Sequence, residues 1–146
     1  MSKALLIIDV QVSSVTKPEI AAEIEKVQYG YDHIFVSRFI NKGSPLIRLT
    51  GWSGYDDDSL AFRPAPDAVV FDKNIYSSFI DELTGFDEVH LCGFDTDACI
   101  YKTAMDLIEH GIRPVILTKL CASGSENFHQ AGLVLLKRNI GAENLI

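Results

Sequence analysis

The sequence predicts an α/β domain, a parallel sheet with helices on both faces, and three observations predict it. The first strand-like segment, ALLII at 4–8, is a continuous apolar run rather than an alternating one, as befits a strand buried on both faces. Segments with helical spacing separate the strand-like segments in a regular β-α alternation. Glycine and proline punctuate the joins, with no internal repeat and no low-complexity tract.

The elements follow in order. Residues 4–8, ALLII, read as the first buried strand. Thr16 and Glu19 have capping-box spacing with Pro18 between them, so a helix is expected from there to about Gln28. HIFVSRF at 33–39 is the second strand. Residues 40–66 hold Gly43, Gly51, Gly54, Pro45, Pro64 and Pro66 and no sustained period, so they read as one long loop of the kind that carries function. AVVF at 68–71 is a third strand, and a short helix is expected over 77–83. EVHLCGF at 88–94 is the fourth strand. Residues 97–110 are expected to be helical, with Ala98, Tyr101, Ala104, Met105 and Ile108 on one face. RPVILT at 113–118 is a fifth strand, 125–138 a last helix, and 142–146 a sixth, edge strand.

Composition narrows the function. The chain has 146 residues, enough for one core, so 1–146 is read as a single domain. A net charge of −7 argues against nucleic acid and against an anionic membrane surface as partners. The run Asp56-Asp57-Asp58 reads as a solvated loop rather than a metal site. Three cysteines without C-x-x-C spacing fit neither a disulfide framework nor a zinc site, and suggest a reducing compartment. The apolar run of MSKALLIIDVQ is short and broken by Asp9, unlike a signal peptide or a membrane span. A cytoplasmic location is the expectation.

Ligand sites in open α/β sheets form at the carboxyl ends of the strands. Strand one ends at Asp9, strand three at Asp72-Lys73, and strand four at Gly93-Phe94-Asp95, with Cys99 opening the next helix. A carboxylate, an ammonium and a thiol thus share one sheet edge. Singly, Asp9 could cap a loop, Lys73 could be solvated and Cys99 could be core. Together they supply base, cation and nucleophile. A helix N-terminus and a nearby Lys73 are expected to lower the Cys99 pKa, with Asp97 capping the helix. Cys92 and Cys121 read as inert core thiols. Trp52, Tyr76 and Phe79 are candidate pocket-wall residues, and Phe94 faces the substrate or fills the space beneath it. A flavodoxin-like nucleotide role is poorly supported, because DVQVSSV after strand one has no glycine.

LLIIDVQ (5–11), VVFDKNIYSSF (69–79), LCGFDTDACIYKTAMDL (91–107) and CASGSENFHQAGLVLLKRNIG (121–141) together resemble the isochorismatase-like cysteine hydrolase family over nearly the whole chain. The resemblance implies an α/β/α sandwich with a six-stranded, mostly parallel, Rossmann-like sheet of order 3-2-1-4-5-6. It implies a catalytic triad of Asp9, Lys73 and Cys99, a cis peptide at Phe94–Asp95, and an oxyanion hole made by the amides of Asp95 and Cys99. It also implies a small-molecule substrate and a homodimer or homotetramer, with the Trp52 loop as a natural contact; Trp52, Tyr76 and Phe94 are the candidate substrate-binding residues.

The departures from the family pattern are specific. Its nicotinamidases hold a metal through an aspartate and histidines after strand two; SRFINKGSPLIRLTGWSGYDDD has no histidine, so no metal and no other cofactor is expected. Ser13-Ser14 stand where the family has an acidic-aromatic pair, and KLCAS lacks the usual acid. The retained cysteine favours cleavage of an amide, carbamoyl or ureido C–N bond through a thioester. The alternative is a non-catalytic binding or thiol-sensing module on the same fold.

Overall fold

The computed structural model describes residues 2–146. Five parallel strands form one sheet: β1 (Lys3–Ile8), β2 (Ile34–Phe39), β3 (Val69–Lys73), β4 (Glu88–Phe94) and β5 (Arg113–Ala122). Their order is β3-β2-β1-β4-β5. The chain winds outward from β1 to one edge, then crosses back to β4 and winds to the other. The switch point lies between β1 and β4, where α/β sheets open a crevice.

Period-two alternation divides β1 between two cores. Leu6 and Ile8 join Leu91, Ile100, Leu107, Ile116 and Leu136 beneath α3 (Tyr101–Glu109) and α4 (Glu126–Ile140). Leu5 and Ile7 join Ile24, Val36, Phe62 and Phe94 beneath α1 (Pro18–Val27) and the segment after β2. The result is the expected three-layer sandwich. Among the described residues no helix is long and apolar enough to cross a membrane.

Several elements differ from the sequence expectation, each for a local reason. The sixth strand shrinks to a single parallel bridge between Leu145 and Ile116, because Ala142–Asn144 take a 3-10 turn first. The capping box does not form: Lys17 is the N-cap of α1, and the Thr16 hydroxyl donates instead to the Ser123 carbonyl at 2.9 Å. The 40–66 loop contains a helix, α2 (Pro45–Thr50). Ser44 caps it by accepting from the Leu46 amide, and Gly51 ends it at φ 78°. The helix expected at 77–83 is displaced to a 3-10 turn at Asp81–Gly85. The Ser78 amide donates to Thr103 Oγ1 and the Phe79 amide to Ser77 Oγ, so side chains take up the bonds a helix would need.

The face of α3 that meets the sheet also differs. Ile100, Thr103, Ala104 and Leu107 are buried, while Ile108 is exposed. Thr103 conceals this face in the sequence, because its hydroxyl is satisfied by the Cys99 carbonyl at 2.6 Å.

Two glycines let backbones meet around the switch point. Gly93, at φ 119°, faces Ile8 so closely that a Cβ would lie 2.0 Å from the Ile8 carbonyl oxygen. Gly132 on α4 lies against the turn that carries Cys99, where a Cβ would come within 2.8 Å of the Asp97 amide. Gly132→Ala is expected to cost about 1–3 kcal/mol through overpacking. Thermal unfolding of the variant measures this, and an unchanged midpoint would show that α4 rides loosely on that turn.

Candidate active site

Asp9 leaves β1 in the left-handed region, at φ 53°, which aspartate tolerates better than most residues. Its surroundings hold it there. The Asp9 amide donates to the Ser37 carbonyl at 3.2 Å, and its own carbonyl accepts from the Gln11 amide at 3.0 Å and from the Ser14 hydroxyl. Gln11 is fully buried and ties the strand end outward: its Nε2 donates to the Phe39 and Asp58 carbonyls, and its Oε1 accepts from the Phe39 amide.

Strand alternation at the end of β3 separates two neighbouring charges. Asp72 turns outward to pair with Arg38 at 2.8 Å. Lys73 turns inward, its side chain 6% exposed, with Nζ 2.9 Å from Asp9 Oδ2. The same ammonium donates to the Tyr76 carbonyl.

Cys99 sits in a π-helical turn, Thr96–Ile100, that joins β4 to α3. The Phe94–Asp95 peptide before it is cis. The Asp95 carbonyl accepts from both the Ala98 and the Ile100 amides at 3.1 Å, closing the turn around Cys99. The Cys99 thiol is within hydrogen-bonding reach of the Asp9 carboxylate, which also faces the Lys73 ammonium.

A buried polar chain links Asp9 and Cys99 from behind. Ser37 Oγ donates to Asp9 Oδ1 at 2.9 Å, and Ser78 Oγ donates to Ser37 Oγ at 2.8 Å. The Ser78 amide donates to Thr103 Oγ1, which donates to the Cys99 carbonyl. Sequence reasoning missed Ser37, Ser78 and Thr103. The available signal was a small polar residue following three apolar ones in a strand, as Ser37 follows Ile34, Phe35 and Val36 in IFVSRF.

The electrostatics correct one expectation. The Cys99 thiol pKa is not depressed. Burial pushes it up and the Asp9 charge pushes it further, while Lys73 opposes them without prevailing. Burial likewise raises the Asp9 carboxyl, against the pull of Lys73. The dipole and cation argument took the thiol as solvated; at the floor of this site, desolvation of the charged form is the larger effect. Cys99 is therefore a neutral thiol beside a base rather than a free thiolate. Cys92 and Cys121 are buried in the two cores. Burial drives the Cys92 thiol far up and holds Cys121 at about 12, as inert thiols.

Of the three groups Cys99 lines a cavity of about 600 Å³, a common size for a small-ligand site, while Asp9 and Lys73 are buried and do not line it. Trp52 and Tyr76 line it, as expected. Phe94 does not: it is fully buried in the core beneath β1 and β4. Phe79 does not either, and stacks on His110 with ring centroids 4.2 Å apart. Tyr55, which the sequence did not single out, lines the cavity. Its hydroxyl reaches Ser14, and burial and the nearby Asp9 drive its pKa far up. Asn41 clamps the Tyr55 backbone through bonds of 2.8 and 2.9 Å, which aims the ring inward.

Asp97 does not cap the turn. Asp95 occupies the N-cap position without a side-chain bond, and Asp97 accepts from the Ser123 hydroxyl. Burial, with help from Asp97 and Asp9, pushes the Asp95 carboxyl up to about 7. A raised folded-state pKa gives stability that is complete below the ordinary value and is lost as pH rises through the folded one. The window is therefore about pH 4 to 7. From pH 5 to pH 8, Asp95→Asn should gain about 2 kcal/mol of stability relative to the parent. Parallel melts at the two pH values measure this, and a constant difference would mean that Asp95 does not titrate there.

The donor set does not match the metal site of the family's nicotinamidases. The segment after β2 has no histidine. Its aspartates diverge: Asp56 lines the cavity, Asp57 accepts from the Ser59 amide, and Asp58 lies 3.8 Å from Arg38. Among the described residues no three His, Cys, Asp or Glu side chains converge.

A thiol, a buried carboxylate and a buried ammonium beneath a cavity at the switch point of a parallel sheet define a class of α/β protein with a cysteine-centred site. An Isochorismatase domain model matches residues 3–143, and the chain belongs to that family. Isochorismatase family protein 2B of Dictyostelium discoideum is 28% identical over 120 residues, covering 71% of this chain and 52% of that protein. Isochorismatase domain-containing protein 2 of Rattus norvegicus is 38% identical over 47 residues, covering 32% of this chain and 22% of that protein. The chain thus spans about half or less of the curated relatives it matches. In structure it is similar to an isochorismatase-like hydrolase from Alkaliphilus metalliredigens, with a TM-score of 0.80, 21% identity and coverage of 95% of this chain and 92% of that one. It is also similar to a nicotinamidase from Bacillus subtilis, with a TM-score of 0.78, 24% identity and coverage of 97% and 98%. At these identities the two structures share the fold.

Proposed function

We propose that the protein is a cysteine hydrolase that cleaves the C–N bond of a small amide, carbamoyl or ureido compound through a thioester. The observation that carries the reading is the buried Asp9–Lys73 pair at 2.9 Å, beside the Cys99 thiol at the floor of the cavity. Family membership and the nicotinamidase fold likeness support it.

Asp9 accepts the thiol proton as sulfur attacks the carbonyl carbon. Lys73, 2.9 Å from Asp9, holds the carboxylate in place. As the C–S bond forms, the carbonyl oxygen takes the negative charge, and the amides of Asp95 and Cys99 are its proposed donors. Collapse of this intermediate breaks the C–N bond, and protonated Asp9 delivers its proton to the departing amine. Asp9 then takes a proton from water, which attacks the thioester, releases the acid and restores the thiol. No step is routed through a metal, in keeping with the donor set.

The thiol-sensing alternative finds less support. A redox sensor needs a low-pKa, accessible thiolate, whereas burial and Asp9 hold Cys99 protonated.

The test is to incubate the protein with small amides and ureides, then follow ammonia release and the mass of the Cys99 peptide after an acid quench. Ammonia together with an acyl increment on Cys99 is the expected result. Ammonia without any acyl-Cys99, at rates that Cys99→Ala preserves, would overturn the mechanism.

A further inference from the structure

The charges lining the cavity are all of one sign. Among the described residues its only charged lining groups are Asp56 and Asp95, with no lysine, arginine or histidine. The site's own cation, Lys73, is sealed beneath, committed to Asp9 and the Tyr76 carbonyl. The wall beyond the thiol is aromatic. Trp52 and Tyr55 meet edge to face at 5.4 Å, and both pack on Phe39, at 5.1 and 5.3 Å. Tyr76 also lines the cavity. Asp56 lines the same cavity and is exposed.

A ligand carboxylate entering this cavity would lose hydration and meet the Asp56 carboxylate, joined by Asp95 as that group ionises above about pH 7, with no cationic lining group to offset them. A cation would meet ring faces and a carboxylate, both attractive. The net charge of −7 draws cations toward the chain as a whole and repels anions.

We infer that the ligand is a small amide or ureide whose remote substituent carries positive charge, seated against Trp52, Tyr55 and Asp56, and that carboxylate-bearing amides are rejected. The inference rests on the proposed amide hydrolysis for the reacting end of the molecule. Its charge preference rests on the cavity alone.

Three amides of similar size separate the two. Betaine amide is cationic, tert-butylacetamide is its neutral isostere, and malonamate is anionic. Ammonia release gives kcat/KM for each. Trp52 is the only tryptophan in the chain, so its fluorescence in a Cys99→Ala variant reports binding without turnover. Betaine amide is expected to exceed its neutral isostere about tenfold in both readouts, with malonamate weakest. Asp56→Asn is expected to reduce the cation-to-neutral ratio about threefold. Equal affinity for the isosteres, stronger binding of malonamate, or no saturable fluorescence change with any of the three overturns the inference. If none of the three releases ammonia but fluorescence ranks them as expected, the hydrolase reading fails and the charge preference stands.

Discussion

Cys99→Ala is expected to lower kcat for any amide substrate by at least about 10³-fold, because the variant has no atom with which to form the thioester. Its fold should survive. Cys99 is only partly buried and the substitution removes a single atom, so the thermal midpoint should move little. Cys121→Ala makes the contrast. It removes a fully buried thiol that contacts the Leu117 carbonyl, so it should lower the midpoint and leave kcat in place. Steady-state rates and melts on both variants decide the matter. Full activity in Cys99→Ala would remove the nucleophile from the mechanism, and Asp9 would then have to act on water directly.

Lys73→Met is expected to be the most damaging single change to stability that leaves the backbone untouched. Methionine keeps the stem of the side chain and removes the charge, so Asp9 would be buried without a counter-ion. Breaking one side of a buried ion pair costs about 3–5 kcal/mol, which for a chain of this size is a midpoint lowered by about 10 °C. The loss should be greater at pH 8 than at pH 5. Without Lys73 the Asp9 carboxyl lies still further above its ordinary value, and a raised folded-state pKa withdraws stability as pH rises. Turnover should fall as well, because a carboxyl raised further by loss of its counter-ion takes the thiol proton in a smaller share of molecules. Adding Asp9→Asn should restore much of the stability and none of the activity. A Lys73→Met chain that melts like the parent at both pH values would show that water already reaches Asp9.

The fold and the three polar groups of the site were legible because they depend on local pattern. A strand buried on both faces is largely apolar, and β1 was readable in that way from ALLII, as were the apolar stretches of β2, β4 and β5. Carboxyl ends of parallel strands share one edge of the sheet, so Asp9, Lys73 and Cys99 could be brought together before any coordinates. Phe94 and Tyr55 show the limit. Both are aromatic residues near the site, and which of them meets a ligand depends on direction. The pleat of β4 sends Phe94 down into the core, whereas the Asn41 clamp turns Tyr55 inward from a segment with no readable period. Ser78 and Thr103 were hidden for a related reason, since a polar side chain looks exposed until its partner is known.

The sequence alone determined the class of this protein: its two-sided sheet, and a thiol, a base and a cation on one edge. Those properties follow from hydrophobic period and chain order, which are one-dimensional. The tertiary structure decided the state of that chemistry. It left the sixth strand as a single bridge and closed a hydrogen-bonded chain from Asp9 through Ser37, Ser78 and Thr103 back to Cys99. It kept the thiol protonated, where a helix dipole and a lysine argued for a thiolate, and lined the cavity with rings and carboxylates. Each of these depends on distance and desolvation, which only packing sets: the ammonium 2.9 Å from the buried Asp9 carboxylate lowers the thiol pKa too, but burial and the Asp9 charge outweigh it.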